Sequence, residues 1–78
     1  MSDIDSQIME IMRRPEVSRI SCYEMADKIR DAFGDEYPCK RVRNRLDSLC
    51  NYGFLVYEKE IRGKGMRTKV YSLVEAVE

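Results

Sequence analysis

Apolar residues recur at helical spacing through the first two thirds of the chain and then change to alternation. Ile4, Ile8, Ile11 and Met12 fall at i, i+4, i+7 and i+8, one stripe of a helix from Ile4 to Arg13. Ser2 or Asp3 can cap its start, Arg13 and Arg14 suit its negative end, and Pro15 stops it. Met9 lies off that stripe. Ser21-Cys22-Tyr23-Glu24 is a capping box, which starts a second helix at Cys22. Its stripe is Met25, Ala26, Ile29 and Phe33, and Gly34 is a natural C-terminal cap. The fixed φ of Pro38 suits the first position of a third helix, about residues 38–52, with Val42, Leu46, Leu49 and Cys50 along one side and Gly53 at its end. Phe54 to Ile61 then reads as a strand with Leu55, Tyr57 and Ile61 on one face. Arg62-Gly63-Lys64-Gly65 is turn chemistry, and Thr68 to Val74 returns with Tyr71 and Leu73 alternating against Ser72. Arg19-Ile20 fits a brief third strand, and Glu75 to Glu78 a frayed tail. The expectation is an α+β fold of three helices followed by a two-stranded antiparallel hairpin over about residues 54–74.

Composition narrows the chemistry. The chain has 78 residues, which is one domain over 1–78, with no repeat or linker. It contains no His, the commonest general base and metal ligand. Its three Cys (Cys22, Cys39, Cys50) form no C-x-x-C pair, so they read as reduced thiols, with no metal site and no cofactor. No apolar run approaches the roughly 18 residues of a membrane span, and the acidic start lacks a signal peptide's pattern. The expectation is a soluble, cytoplasmic protein without catalytic residues or a small-molecule substrate, too short for a drug-sized pocket. The zero net charge hides a segregation. Residues 1–39 carry five basic against nine acidic side chains, whereas residues 40–69 carry nine basic against three acidic. Such asymmetry points to a polyanionic partner.

The segment Val42-x-x-x-Leu46-x-x-Leu49-x-x-x-Gly53-Phe54-Leu55, followed by a hairpin with a Gly-bearing tip, resembles the recognition helix and wing of small prokaryotic and archaeal winged-helix transcription regulators. Ser21…Glu24-Met25-Ala26 resembles the start of their second helix, and the likeness covers about Ile4 to Leu73. The link Asp35-Glu36-Tyr37-Pro38 departs from the short Ser/Thr-rich turn of many relatives. The resemblance implies a winged helix-turn-helix domain that binds double-stranded DNA.

The third helix tests that implication independently. At about 100° per residue, Val42, Leu46, Leu49, Cys50 and Cys39 share one side, and Lys40, Arg41, Asn44 and Ser48 the other. Arg43 and Arg45 stand on the two flanks, placed to reach phosphates, which position a protein without specifying sequence. A helix fits the major groove, where Arg, Lys and Asn hydrogen-bond guanine and adenine edges. Arg62, Lys64, Arg67 and Lys69 cluster at the hairpin tip, and Tyr23 can donate to a phosphate. The favoured function is sequence-specific duplex binding by a transcriptional regulator, the third helix in the major groove and the wing on the backbone or minor groove. The alternative is a winged-helix protein-interaction module in a nucleic-acid-processing assembly, which calls for an apolar or acidic patch on the third helix. One such helix touches roughly four or five base pairs, so two copies on neighbouring half-sites are expected. Met9 widens the apolar arc of the first helix and suggests that helix as the surface of a homodimer.

Overall fold

Helix α1 spans Asp3–Met12 and buries Ile4, Ile8, Met9, Ile11 and Met12. The computed structural model describes residues 3–63 and 65–74, and only the backbone of Arg62; the expected Ser2 cap and frayed tail lie outside the described residues. Met9 belongs to the core rather than to a second face. The exposed positions of α1 are Asp3, Ser6 and Glu10, so this helix offers a partner no apolar side chain, and Met9 gives no ground for pairing there.

Strand β1 is Ile20–Ser21, one residue beyond the expected Arg19-Ile20, and helix α2 follows at once over Cys22–Phe33. The capping box forms in both directions. The Ser21 hydroxyl accepts from the Glu24 amide at 3.3 Å, and the Glu24 carboxylate accepts from the Ser21 amide at 3.2 Å. Gly34 closes α2 in the left-handed conformation, at φ 76°. Met25 and Ile29 are buried, while Ala26 and Phe33 pack half-buried against the core. The link to the next helix is pinned to α1 through Gln7, which accepts from the Tyr37 hydroxyl at 3.1 Å and donates to Asp35 at 2.6 Å.

Helix α3 is Cys39–Asn51. Pro38 has a helical φ of −59° but an extended ψ of 143°, so it caps the helix rather than entering it, and only its carbonyl takes part, accepting from the Val42 amide at 3.1 Å. Val42, Leu46 and Leu49 are buried, and Cys39 and Cys50 are half-buried on the same side. Gly53, at φ 88°, turns the chain into β2 (Leu55–Arg62), which pairs with β3 (Met66–Leu73) across the Gly63–Gly65 turn.

The sheet order is β1-β3-β2, antiparallel throughout, with Ile20 opposite Tyr71 and Leu55 opposite Leu73. Leu55, Tyr57 and Ile61 share one face as expected, yet burial ends with Leu55. Tyr57 is 47% exposed and Ile61 71%, because the hairpin runs past the edge of the helices into solvent. As the central strand, β3 buries both Val70 and Tyr71, although they point to opposite faces.

Candidate nucleic-acid interface

The projecting hairpin and α3 form two walls of an open cleft of about 670 Å³, a volume the shortness of the chain did not lead one to expect. Arg43 and Asn44 line it from α3, Lys59 from β2, Arg67 and Lys69 from β3, and Tyr23 from the first turn of α2. The outward side of α3 continues this surface with exposed Lys40 and Arg41. The Arg41 guanidinium lies 5.1 Å from the centre of the Tyr37 ring, a cation–π contact that restrains its direction. Ser48 is half-buried at the far end of the same side.

Charge is sorted across the hairpin by strand alternation. Lys59 lies opposite Lys69, and Ile61 opposite Arg67, on the face shared with buried Leu55. Glu58 and Glu60 fall on the other face, where one nitrogen of Arg19 bridges both at 3.1 and 2.6 Å. The acids of the strand are thereby turned away from the cleft.

Asp47 is the acid that lines the cleft, and it is neutralised in place. It accepts from the Tyr71 hydroxyl at 2.7 Å and pairs with the Lys69 ammonium at 3.3 Å, joining α3 to the base of the hairpin. Lys69 also sits 4.6 Å from the centre of the Tyr57 ring, and the Tyr57 and Tyr71 rings are 6.2 Å apart. Burial, together with the bond to Asp47, pushes the Tyr71 phenol well above the usual tyrosine range. Burial likewise pushes the Cys22 and Cys50 thiols up, which keeps them in the unreactive protonated form at neutral pH.

Two of the residues expected on this surface serve the fold as well. Arg45 makes a two-pronged pair with Asp5 of α1, at 2.8 and 2.7 Å, and Asp5 is otherwise buried. Those bonds raise the guanidinium pKa and hold Arg45 against α1, apart from the cleft. Lys69 is tied to Asp47 as described. Arg41, Asn44, Arg43 and Lys40 present exposed donors, as does Arg67. Lys64 and the side chain of Arg62 lie outside the described residues.

No protein-family model and no curated protein matches the sequence. Solved structures do. Bacillus subtilis PadR, in a complex with operator DNA, superposes with a TM-score of 0.79 at 19% identity, over 96% of this chain and 42% of PadR. The ferric uptake regulator Fur of Vibrio cholerae gives 0.77 at 23% identity, over 96% of this chain and 53% of Fur. TA0346 from Thermoplasma acidophilum gives 0.71 at 20% identity, over 91% of this chain and 64% of its own. This chain has the winged-helix fold. It spans about half the length of those proteins, and the likeness is one of architecture.

Within the winged-helix frame, β2 and β3 are the wing and α3 is the helix beside it. Lys59 belongs to the cleft wall but was not among the residues singled out in the sequence. The signal was available: counting by twos from buried Leu55 reaches Lys59 on the inner face. The Asp5–Arg45 and Asp47–Tyr71 pairs gave no such signal, since they join residues 40 and 24 positions apart.

Proposed function

We propose that this winged-helix domain binds duplex DNA as a transcriptional regulator, with α3 in the major groove and the wing on the neighbouring backbone or minor groove. One observation carries the reading: cations from α3 and from both wing strands converge on one cleft, while the wing's two acids are paired on its opposite face. Two walls that are both basic suit a sugar–phosphate strand running between them. In this reading Lys40, Arg41 and Asn44 face base edges, with Ser48 at the end of their row, and Arg43, Lys59 and Arg67 contact phosphates. The operator DNA bound by PadR, whose fold this chain shares across nearly its whole length, supports the same direction.

A protein-interaction module is the weaker reading, because the exposed side of α3 carries Lys40, Arg41 and Asn44 rather than apolar or acidic residues. The proposal treats the domain as non-enzymatic and cytoplasmic, and includes two copies on half-sites about one helical turn apart. Selection of duplexes from a random pool, followed by salt-titrated affinity, tests it. About six phosphate contacts give a slope near −5 for log affinity against log salt. Binding that ignores salt, or a pool that yields no preferred duplex, overturns it.

A further inference from the structure

At the base of the wing, alternation collects three exposed apolar residues on the face of the sheet turned away from α3. Phe54 and Val56 lie two apart, and the Val74 amide donates to the Phe54 carbonyl at 3.2 Å, which sets Val74 across from Phe54. Their exposures are 48%, 48% and 46%. Single exposed apolar residues need no explanation, but a cluster fixed by register does. On the other side of β3, pairing with β1 stops at Ile20 and Tyr71. The chain before Ile20 leaves the sheet there, and a second cavity of about 430 Å³ opens, lined by Met12, Val17 and Leu73 together with Ser18, Arg19 and Ser72. Ser72, small and opposite Val56, therefore stands between a projecting aromatic ring and an apolar hollow. Charge divides along the same line. Arg19 adjoins the hollow, and Glu58, its side chain 75% exposed, lies beyond Val56 on β2. Ring and hollow, and anion and cation, thus flank one strand on one surface.

We propose that this face is the contact between two copies of the chain, packed back to back about a two-fold axis along β3, with Phe54 of each seated in the hollow of the other. The inference concerns self-association and does not depend on duplex binding. Self-complementarity argues for a second copy as the occupant. A half-turn about β3 lays the β2 side of one copy over the β1 side of the other, so Phe54 meets the hollow and Glu58 meets Arg19, twice over. Neither the cleft nor α3 is used, and α1 exposes no apolar side chain that competes for the role. The arrangement also keeps both hairpins pointing the same way. Sheets stack about 10 Å apart, and with each α3 roughly 10 Å further out the two helices stand about 30 Å apart, close to one turn of duplex. Three half-exposed apolar residues per copy fill only part of the roughly 800 Å² that each side of a stable interface buries. The dimer is accordingly weak, with a dissociation constant on the order of 10 µM.

Sedimentation equilibrium without DNA, from about 1 to 500 µM protein under reducing conditions, tests it. Wild type should fit a monomer–dimer equilibrium. Phe54→Ser should raise the dissociation constant at least tenfold, since two aromatic contacts are lost per dimer, and Phe54→Leu should recover most of it. Ile61→Ser, at the far end of the wing, should associate as wild type does. Charge exchange supplies a readout that a misfolded variant cannot imitate. Arg19→Glu makes both sides of the contact acidic and Glu58→Arg makes both basic, so each should be weakened as a homodimer. Mixed in equal amounts, the two should form a heterodimer at least as tight as the wild-type dimer. Thermal melting of each variant alone verifies the fold. A wild type that stays monomeric throughout the range overturns the inference, as does a dimer that Phe54→Ser leaves unchanged. So does a mixture of the two charge variants that associates no better than either alone. None of these results bears on duplex binding, which the selection experiment tests separately.

Discussion

Tyr71→Phe removes one oxygen from the join between α3 and the wing, and its effect should reverse sign with pH. The Tyr71 hydroxyl is buried and donates to Asp47 at 2.7 Å. A hydrogen bond to a charged acceptor contributes about 1.5–3 kcal/mol. Asp47 is one-third exposed and keeps Lys69, so the lower figure applies, and the variant should be about 1.5 kcal/mol less stable at pH 8. The folded state holds the phenolic proton more tightly than the unfolded chain, whose tyrosine ionises near pH 10. The stability contributed by that proton is therefore complete below about pH 10 and declines above it, by about 1.4 kcal/mol per pH unit, while only the unfolded phenol ionises. Phenylalanine has no such decline. The two stabilities should meet about one pH unit higher, near pH 11, with the variant the more stable beyond it. Urea unfolding followed by circular dichroism, at intervals from about pH 8 to pH 11, measures the difference directly. A gap between wild type and variant that stays constant across that range refutes both the burial of the phenol and its bond to Asp47.

Asn44→Ala and Arg41→Ala should each erode the preference for one base position by about 1–3 kcal/mol, whereas Lys59→Ala should weaken selected and scrambled duplexes alike and flatten the salt slope by about one. Equal losses on both duplexes for all three variants would mean that no base is read. Arg45→Met should lower the urea midpoint, because it removes the two-pronged bond to the buried Asp5 carboxylate, while Arg41→Met should leave the midpoint unchanged. Coincident unfolding curves for Arg45→Met and wild type would remove the α1–α3 tie.

What was legible in the sequence was local or periodic. The capping box placed the start of α2 at Cys22, because Ser21 and Glu24 satisfy each other's backbone amides within four residues. The apolar stripe of α3 likewise named Val42, Leu46 and Leu49, since helical spacing and burial coincide there. Periodicity failed where burial departed from it. Alternation along β2 groups Tyr57 and Ile61 with Leu55 but cannot reveal that the helices end before reaching them. Met9 falls off a stripe drawn for contact on one side, and it is buried because α1 has neighbours over a wider arc than a single stripe describes. Among the candidate site residues, exposure followed the wheel for Lys40, Arg41, Asn44 and Arg43. Arg45 departed from it because its partner lies 40 residues away, in a helix whose acidity read from the sequence as mere composition.

Ser21 is both the last residue of β1 and the cap of α2, and its strand partner is Val70. That double membership has a kinetic consequence. The pairing of Ile20 with Tyr71 closes a span of about fifty residues, at an entropic cost of roughly 3.5 kcal/mol before any contact rewards it. Short helices are marginal alone, so α1, α2 and α3 fluctuate until this closure supplies their packing. A chain emerging from the ribosome passes through α3 before β3 exists, and until Val70 and Tyr71 arrive only the local capping box of Ser21 and Glu24 marks the residue from which α2 begins. Both walls of the cleft therefore come into being in one late step, and a nascent fragment that stops short of β3 carries the basic residues without the surface that arranges them.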